Sequence, residues 1–487
     1  MTGHSIEMKE VRLPRLRPIF LALTLLLPRI ASALEPCKLP DGTDARCGTF
    51  EVWENRETRA GRKLRMRVLV LPATGASPQP DPVFYVAGGP GESAVDYSPY
   101  FGRRDAFLRK ERDLVFVDAR GAAGPGRLTC TLGGRDEDLQ TYLGDKFPLA
   151  AVRECRKELE KTADLTRYTT AAIVDDLDDA RAWLGYAKVN LDGGSYGTRV
   201  VQTWLRRHPG SVRTATLTGA IPMDESNPIS HAAGSQRAMD LVLSWCAADA
   251  ACQKAFPDIR AELQTVLDRL AKAPAEVEVP HPGRSGPGQP VKVRLSREVL
   301  ADGLQVFLYD ARASARLPLL IHQAAQGRLD ALADAAVRSR YNITKGIALG
   351  ELLSVTCAED IPYIDPAKVA ERTAGTFLGD FRVRQQMAAC AEWPLARVER
   401  GHRDPVRTDV PVLLLSGERD PVTPPAFAER AKERFANSLL VVIPFGSHLN
   451  PWTCIDEVRR QLIEKGAVQG IDTSCMGRIE RPPFVLE

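Results

Sequence analysis

The chain has 487 residues, 26% of them charged and 44% hydrophobic, with 65 basic against 62 acidic side chains. Such a length holds two or three domains or one large domain with an insertion, and it buries a full core without needing disulfides to fold. Composition excludes collagen-like, coiled-coil and wholly disordered chains, and a net charge of +3 lacks the basic footprint of a nucleic-acid binder.

The N-terminus reads as an address. Lys9, Arg12, Arg15 and Arg17 precede an apolar run over 19–27, and Ala31-Ser32-Ala33 supplies a small-x-small cleavage pattern. Positive, then apolar, then small is the order of a secretory signal. The run is short for a bilayer span, and Leu34-Glu35-Pro36 lacks the small residues that precede a lipoprotein cysteine. Export is therefore expected, to periplasm or medium, with no stable membrane anchor once 1–33 is removed.

Short apolar strands then alternate with helical patterns, the sign of an α/β fold around a mostly parallel sheet. Strands are expected at 65–72, 82–87, 113–118, 189–192 and 215–221, with helices at 171–184 and 196–207. The acidic run 175–179 reads as a solvated helix face rather than a metal site. From 223 to 407 the pattern is mainly helical, broken by a Pro/Gly-rich loop or hairpin at 274–290. Strand rhythm returns at 410–416 and 439–444. The expected organisation is a signal (1–33), a core (34–222), a helical cap insertion (223–407) and the rest of the core (408–487).

All ten cysteines follow the signal, and no CxxC pair occurs, which argues against zinc and thioredoxin-like chemistry. An oxidising compartment makes disulfides their natural use. Pairing neighbours gives Cys37–Cys47, Cys130–Cys155, Cys246–Cys252, Cys357–Cys390 and Cys454–Cys475, each a local loop that crosses no other. No metal or cofactor is expected.

Gly193-Gly194-Ser195-Tyr196-Gly197 fits G-x-S-x-G and lies between a strand and a helix, as a nucleophile elbow requires. A serine hydroxyl needs a base beside it. Of seven histidines, His448 alone stands in the loop after the last expected strand, where the order Ser…Asp…His places the base. The imidazole in turn needs a carboxylate. Asp420 follows the strand at 410–416, with Glu418 and Asp456 as rivals. Two backbone donors should form the oxyanion hole: the N–H of Tyr196, after the nucleophile, and one from the loop 87–91, assigned to Gly89. That loop lacks the spacings of phosphate-binding motifs.

Together these motifs resemble the proline iminopeptidase and tripeptidyl aminopeptidase group of α/β-hydrolases, the S33 serine peptidases, over roughly 50–475. Gly88-Gly89-Pro90-Gly91 is similar to that group's HGGPG loop, and Asp118-Ala119-Arg120-Gly121 to its DQRG turn. The stretch from Tyr168-Thr169-Thr170 to Gly197-Thr198 and the turn Gly417-Glu418-Arg419-Asp420 resemble the tripeptidyl aminopeptidase branch. Ala87 and Ala119 depart from the group's histidine and glutamine. The resemblance implies an α/β-hydrolase fold, a Ser195–Asp420–His448 triad and release of short N-terminal pieces from peptides. An aminopeptidase also needs acids for the substrate's ammonium; Glu225, Glu359 and Asp360 are the candidates. An esterase with the same triad, or a non-catalytic binder on the same scaffold, are the alternatives.

Overall fold

The computed structural model describes residues 34–132, 134–283 and 290–487. The expected signal lies outside these residues, as does the tip of the Pro/Gly-rich stretch. In chain order the strands are β1 (Glu35–Lys38), β2 (Asp44–Trp53), β3 (Lys63–Leu71), β4 (Val83–Val86), β5 (Leu114–Val117), β6 (Val189–Gly194) and β7 (Val212–Thr218). They continue with β8 (Ala275–Val279), β9 (Val291–Leu295), β10 (Val412–Gly417) and β11 (Ser438–Ile443).

One sheet runs in the order β1-β2-β3-β5-β4-β6-β7-β10-β11. Its first three strands and the β3–β5 junction are antiparallel. From β5 to β11 every neighbouring pair is parallel. Every strand expected from the sequence is present, β7 beginning three residues early. The pair β1–β2 was not expected. Its residues are mostly half-buried or exposed and carry charges, threonine and glycine, so no apolar alternation announces them.

The parallel strands are apolar on both faces because helices cover both. On one face Val115, Val117, Phe84, Val86, Leu191, Leu217, Val412 and Leu414 meet the helices Thr170–Trp183 and Gly197–Arg207. On the other, Leu413, Leu415, Val441 and Ile443 meet the helix Thr453–Lys465, while Tyr85, Leu114 and Phe116 pack with Phe101 and Leu108. Alternate residues of one strand thus serve two cores. This is the α/β-hydrolase fold.

Between β7 and β10 the chain is mainly helical, and β8 pairs with β9 as an antiparallel hairpin flanking the Pro/Gly-rich stretch. The helices from His231 to Gly346 close a separate apolar core around Met239, Leu243, Leu267, Leu300 and Leu304, joined by Leu139, Tyr142 and Leu143 from before β6. Beyond it, Leu349, Leu353, Val355 and Trp393 turn back into the core beneath the sheet. The inserted segment therefore serves two cores rather than one.

The acidic run is not simply a solvated face. Asp176 is fully buried and accepts hydrogen bonds from Arg120 Nε (2.6 Å) and Nη2 (2.8 Å) and from Arg56 Nη1 (2.6 Å). Disulfides join Cys37–Cys47, Cys130–Cys155, Cys246–Cys252, Cys357–Cys390 and Cys454–Cys475. Among the described residues no helix is long and apolar enough to cross a membrane.

Candidate active site

Ser195 stands between β6 and the helix Gly197–Arg207 with φ 54°, a left-handed conformation that non-glycine residues rarely adopt. Its N–H donates to Thr218 O (2.9 Å), and its carbonyl accepts the Thr198 hydroxyl (2.7 Å). The flanking glycines are required by space. A Cβ on Gly197 would meet Val86 O at 2.5 Å, and one on Gly193 would meet Gly197 O at 2.7 Å. The helix can start hard against the end of β4 only because both lack side chains.

The loop after β4 comes to the same place. A Cβ on Gly88 would lie 3.5 Å from Ser195 Cβ, and Gly89, at φ +103°, has no room for one beside Gly91 N. Asp118 anchors this loop: Oδ1 accepts the Ser93 hydroxyl (2.7 Å) and Val95 N–H (3.1 Å), and Oδ2 accepts Arg67 Nε (2.6 Å). The turn 118–121 thus holds the glycine loop with its aspartate and Asp176 with its arginine.

His448 and Asp420 are paired. Nδ1 lies 2.8 Å from Asp420 Oδ2, and the imidazole is nearly enclosed. The other oxygen, Oδ1, accepts Val422 N–H (2.9 Å) and Thr423 N–H (2.8 Å). Thr423 Oγ1 donates to Asp420 Oδ2 (2.6 Å) and lies 3.1 Å from His448 Nδ1. Burial works to raise the Asp420 pKa, but His448 and these donors outweigh it and hold the acid at about 2. Burial works to lower the His448 pKa, yet Asp420 and Glu92 leave it above its ordinary value. The rival acids are engaged elsewhere: Glu418 accepts Phe445 N–H, and Asp456 pairs with Arg459.

The two halves meet at Gly219, the residue after Thr218. A Cβ there would lie 3.4 Å from His448 Cε1 and 3.5 Å from Asp420 Oδ2. Serine, glycine loop, imidazole and carboxylate therefore gather at the carboxyl ends of adjacent parallel strands, where open α/β sheets place their sites.

An α/β-hydrolase fold family matches residues 81–246, and a family described as TAP-like protein matches 375–475. The chain is 26% identical over 439 residues to serine protease Hip1 of Mycobacterium tuberculosis, covering 82% of each. It is 25% identical over 476 residues to tripeptidyl aminopeptidase of Streptomyces lividans, covering 88% of this chain and 83% of that one. Carboxylesterase B of Mycobacterium tuberculosis is 31% identical over 229 residues, 43% of each. The chain is an S33-like α/β-hydrolase.

In this hydrolase the three acids expected to receive a substrate ammonium have partners inside the protein. Asp360 Oδ1 accepts Arg199 Nη1 (2.7 Å) and Asn227 N–H (2.9 Å), and Glu225 Oε2 accepts Arg430 Nη1 (2.9 Å). Glu359 accepts Thr170 N–H (2.7 Å) and its hydroxyl (2.6 Å), and that hydroxyl lies 2.8 Å from the Tyr196 phenol. Burial pushes the Glu359 pKa up to about 7. Two charges are thus neutralised by arginines, and burial works against the charged form of the third acid.

Sequence reasoning missed Thr423 and Glu92. Thr423 lies three residues after the acid, a spacing that can cap an Asx-type turn. Glu92 directly follows the glycine loop, and its Oε2 would lie 3.1 Å from a Cβ on Gly88, the same point that lies 3.5 Å from Ser195 Cβ. The two distances share one origin, so the Glu92 carboxylate and Ser195 are neighbours. Burial raises the Glu92 pKa, opposed by His448, the Gly88 N–H and the Tyr97 hydroxyl.

Proposed function

We propose that this serine hydrolase is an exported aminopeptidase that releases short N-terminal pieces, one to three residues, from peptides through an acyl-enzyme. Ser195 attacks the carbonyl, His448 takes and returns the proton, and Asp420 fixes the imidazole and stabilises its charged form. The amides of Gly89 and Tyr196 receive the oxyanion. The observation that carries this reading is the paired Asp420 and His448 gathered at Gly219 beside the strained Ser195 turn.

Recognition of a free amino terminus falls to Glu92 rather than to Glu225, Glu359 or Asp360. Among the described residues no arginine or lysine pairs with Glu92, and it borders the nucleophile. A cation entering this half-buried place would be held more strongly than in water. The tripeptidyl aminopeptidase relative supports peptide over ester, and five disulfides support export.

A panel of peptides with free and acetylated amino termini, together with short acyl esters, tests the reading by mass spectrometry. Cleavage of one to three residues from free termini only is the expected result. The carboxylesterase B likeness favours a second reading, an exported ester hydrolase. Turnover of esters alone, indifferent to acetylation, would select it.

A further inference from the structure

A group of cations near His448 has no part in the triad. Lys146, Arg340 of the helix Asp330–Gly346 and Arg382 of the helix Phe381–Ala391 come from three separate stretches of chain. They gather around one carboxylate, Asp302 of the helix Arg297–Leu308. Both oxygens of Asp302 are taken, Oδ1 by Lys146 Nζ (3.0 Å) and Oδ2 by Arg340 Nη2 (2.5 Å). Arg382 is left over. Its guanidinium lies 5.1 Å from the centre of the Phe147 ring, and its Nη1 is buried with no hydrogen-bond partner among the described residues.

The helix that carries Asp302 ends beside the active site. Tyr309, one residue beyond the Asp302 helix, sets its ring edge-on to His448 with centres 5.0 Å apart. Its phenol feels Asp420 and Glu92 as well as Arg382 and Asp302. His231 stands within reach of Arg382, Lys146, His448 and Asp420, and burial, aided by these cations, pushes its pKa down to about 3, so it adds no charge near neutrality. Burial also pushes Lys146 down to about 8 and Arg382 to about 10, against the pull of Asp302. A buried guanidinium donor with no acceptor is costly unless a ligand supplies one.

We infer that the substrate cleft receives a carboxylate of the substrate, held by Arg382 with Lys146 beside it. A guanidinium fork matches a carboxylate with two parallel hydrogen bonds. The carboxylate can be the C-terminus of a short peptide or an aspartate or glutamate side chain. The inference rests on the triad reading and narrows its substrates to short free-acid or acidic peptides.

Calorimetric titration of the Ser195→Ala protein, which binds without turning substrate over, tests this apart from the aminopeptidase reading. Ala-Ala-Ala is compared with its C-terminal amide, and Ala-Ala-Glu-amide with Ala-Ala-Gln-amide. The anionic member of at least one pair should bind about tenfold tighter or more. A preference in the first pair alone assigns the C-terminus, and in the second alone the side chain. Adding Arg382→Gln or Lys146→Gln should bring that ratio toward one, with fluorophosphonate labelling of the corresponding Ser195-bearing proteins reporting an intact site. Equal binding within both pairs, or tighter binding of the neutral members, overturns the inference whether or not the variants fold. So does an unchanged ratio in folded Arg382→Gln.

Discussion

Ser195 and His448 reach the same cleft by opposite means. The serine is set by backbone: a left-handed residue, two glycines that admit close approach and one hydrogen bond to the adjacent strand. The histidine is set by side chains and by distant chain. Asp420 and Thr423 hold Nδ1, the Ser447 hydroxyl donates to Leu308 O, Leu449 N–H donates to Tyr309 O (2.7 Å), and the Tyr309 ring abuts the imidazole. The serine thus belongs to the sheet, while the histidine belongs jointly to the sheet and the inserted segment. Changes on the serine side should act through chemistry or folding, and changes on the histidine side through orientation and charge.

The largest expected effect is Ser195→Ala. It removes the attacking oxygen and leaves the elbow, so turnover should fall about 10⁶-fold with an unchanged melting temperature. Activity within a hundredfold of the parent would break the comparison at its first term. Next is Asp420→Asn. An amide nitrogen at the Oδ2 position no longer accepts the Nδ1 proton, which favours the wrong tautomer and removes the charge behind the imidazolium. A fall of about 10⁴-fold in kcat is expected. Retention of parental turnover would show that Glu418 or Asp456 serves instead.

Gly197→Ala tests the backbone side. The new methyl would lie 2.5 Å from Val86 O, so strand or helix must shift. Forced overpacking of this kind costs roughly 1–3 kcal/mol, visible in a denaturant midpoint. An unchanged midpoint would mean that the elbow is looser than its geometry implies.

The same contrast decides what the sequence revealed. The elbow was legible because its cause is local: glycine, strand and helix stand within a dozen residues. Asp420 and His448 were legible by position after strands, a topological cue. Thr423 and Tyr309 were not, since their roles appear only once a loop folds back and the inserted segment docks. The partners of Glu225, Glu359 and Asp360 were hidden for a related reason. Acids near a motif say nothing of the arginines and threonines that reach them from elsewhere, such as Arg430 to Glu225 or Thr170 to Glu359. The edge pair β1–β2 escaped notice because an exposed edge carries little apolar pattern.

The smallest expected effect is the most diagnostic, because Glu92 lies on the serine side yet acts on the histidine. His448 must be neutral to take the serine proton, so activity is lost as pH falls through its pKa. Asp420 and Glu92 raise that pKa against burial, which places the acid limb of kcat/KM above the ordinary histidine value of about 6.5. Asp420, held at about 2, stays ionised throughout and adds no second step. Glu92→Gln removes one raising charge while keeping the side chain's shape, so the limb should move to lower pH. If Glu92 also receives the substrate ammonium, the ratio of free to acetylated peptide turnover should fall in the same variant. A shifted limb with an unchanged ratio would confine Glu92 to the imidazole. A fixed limb with a reduced ratio would confine it to the substrate, and no change in either would remove it from the site.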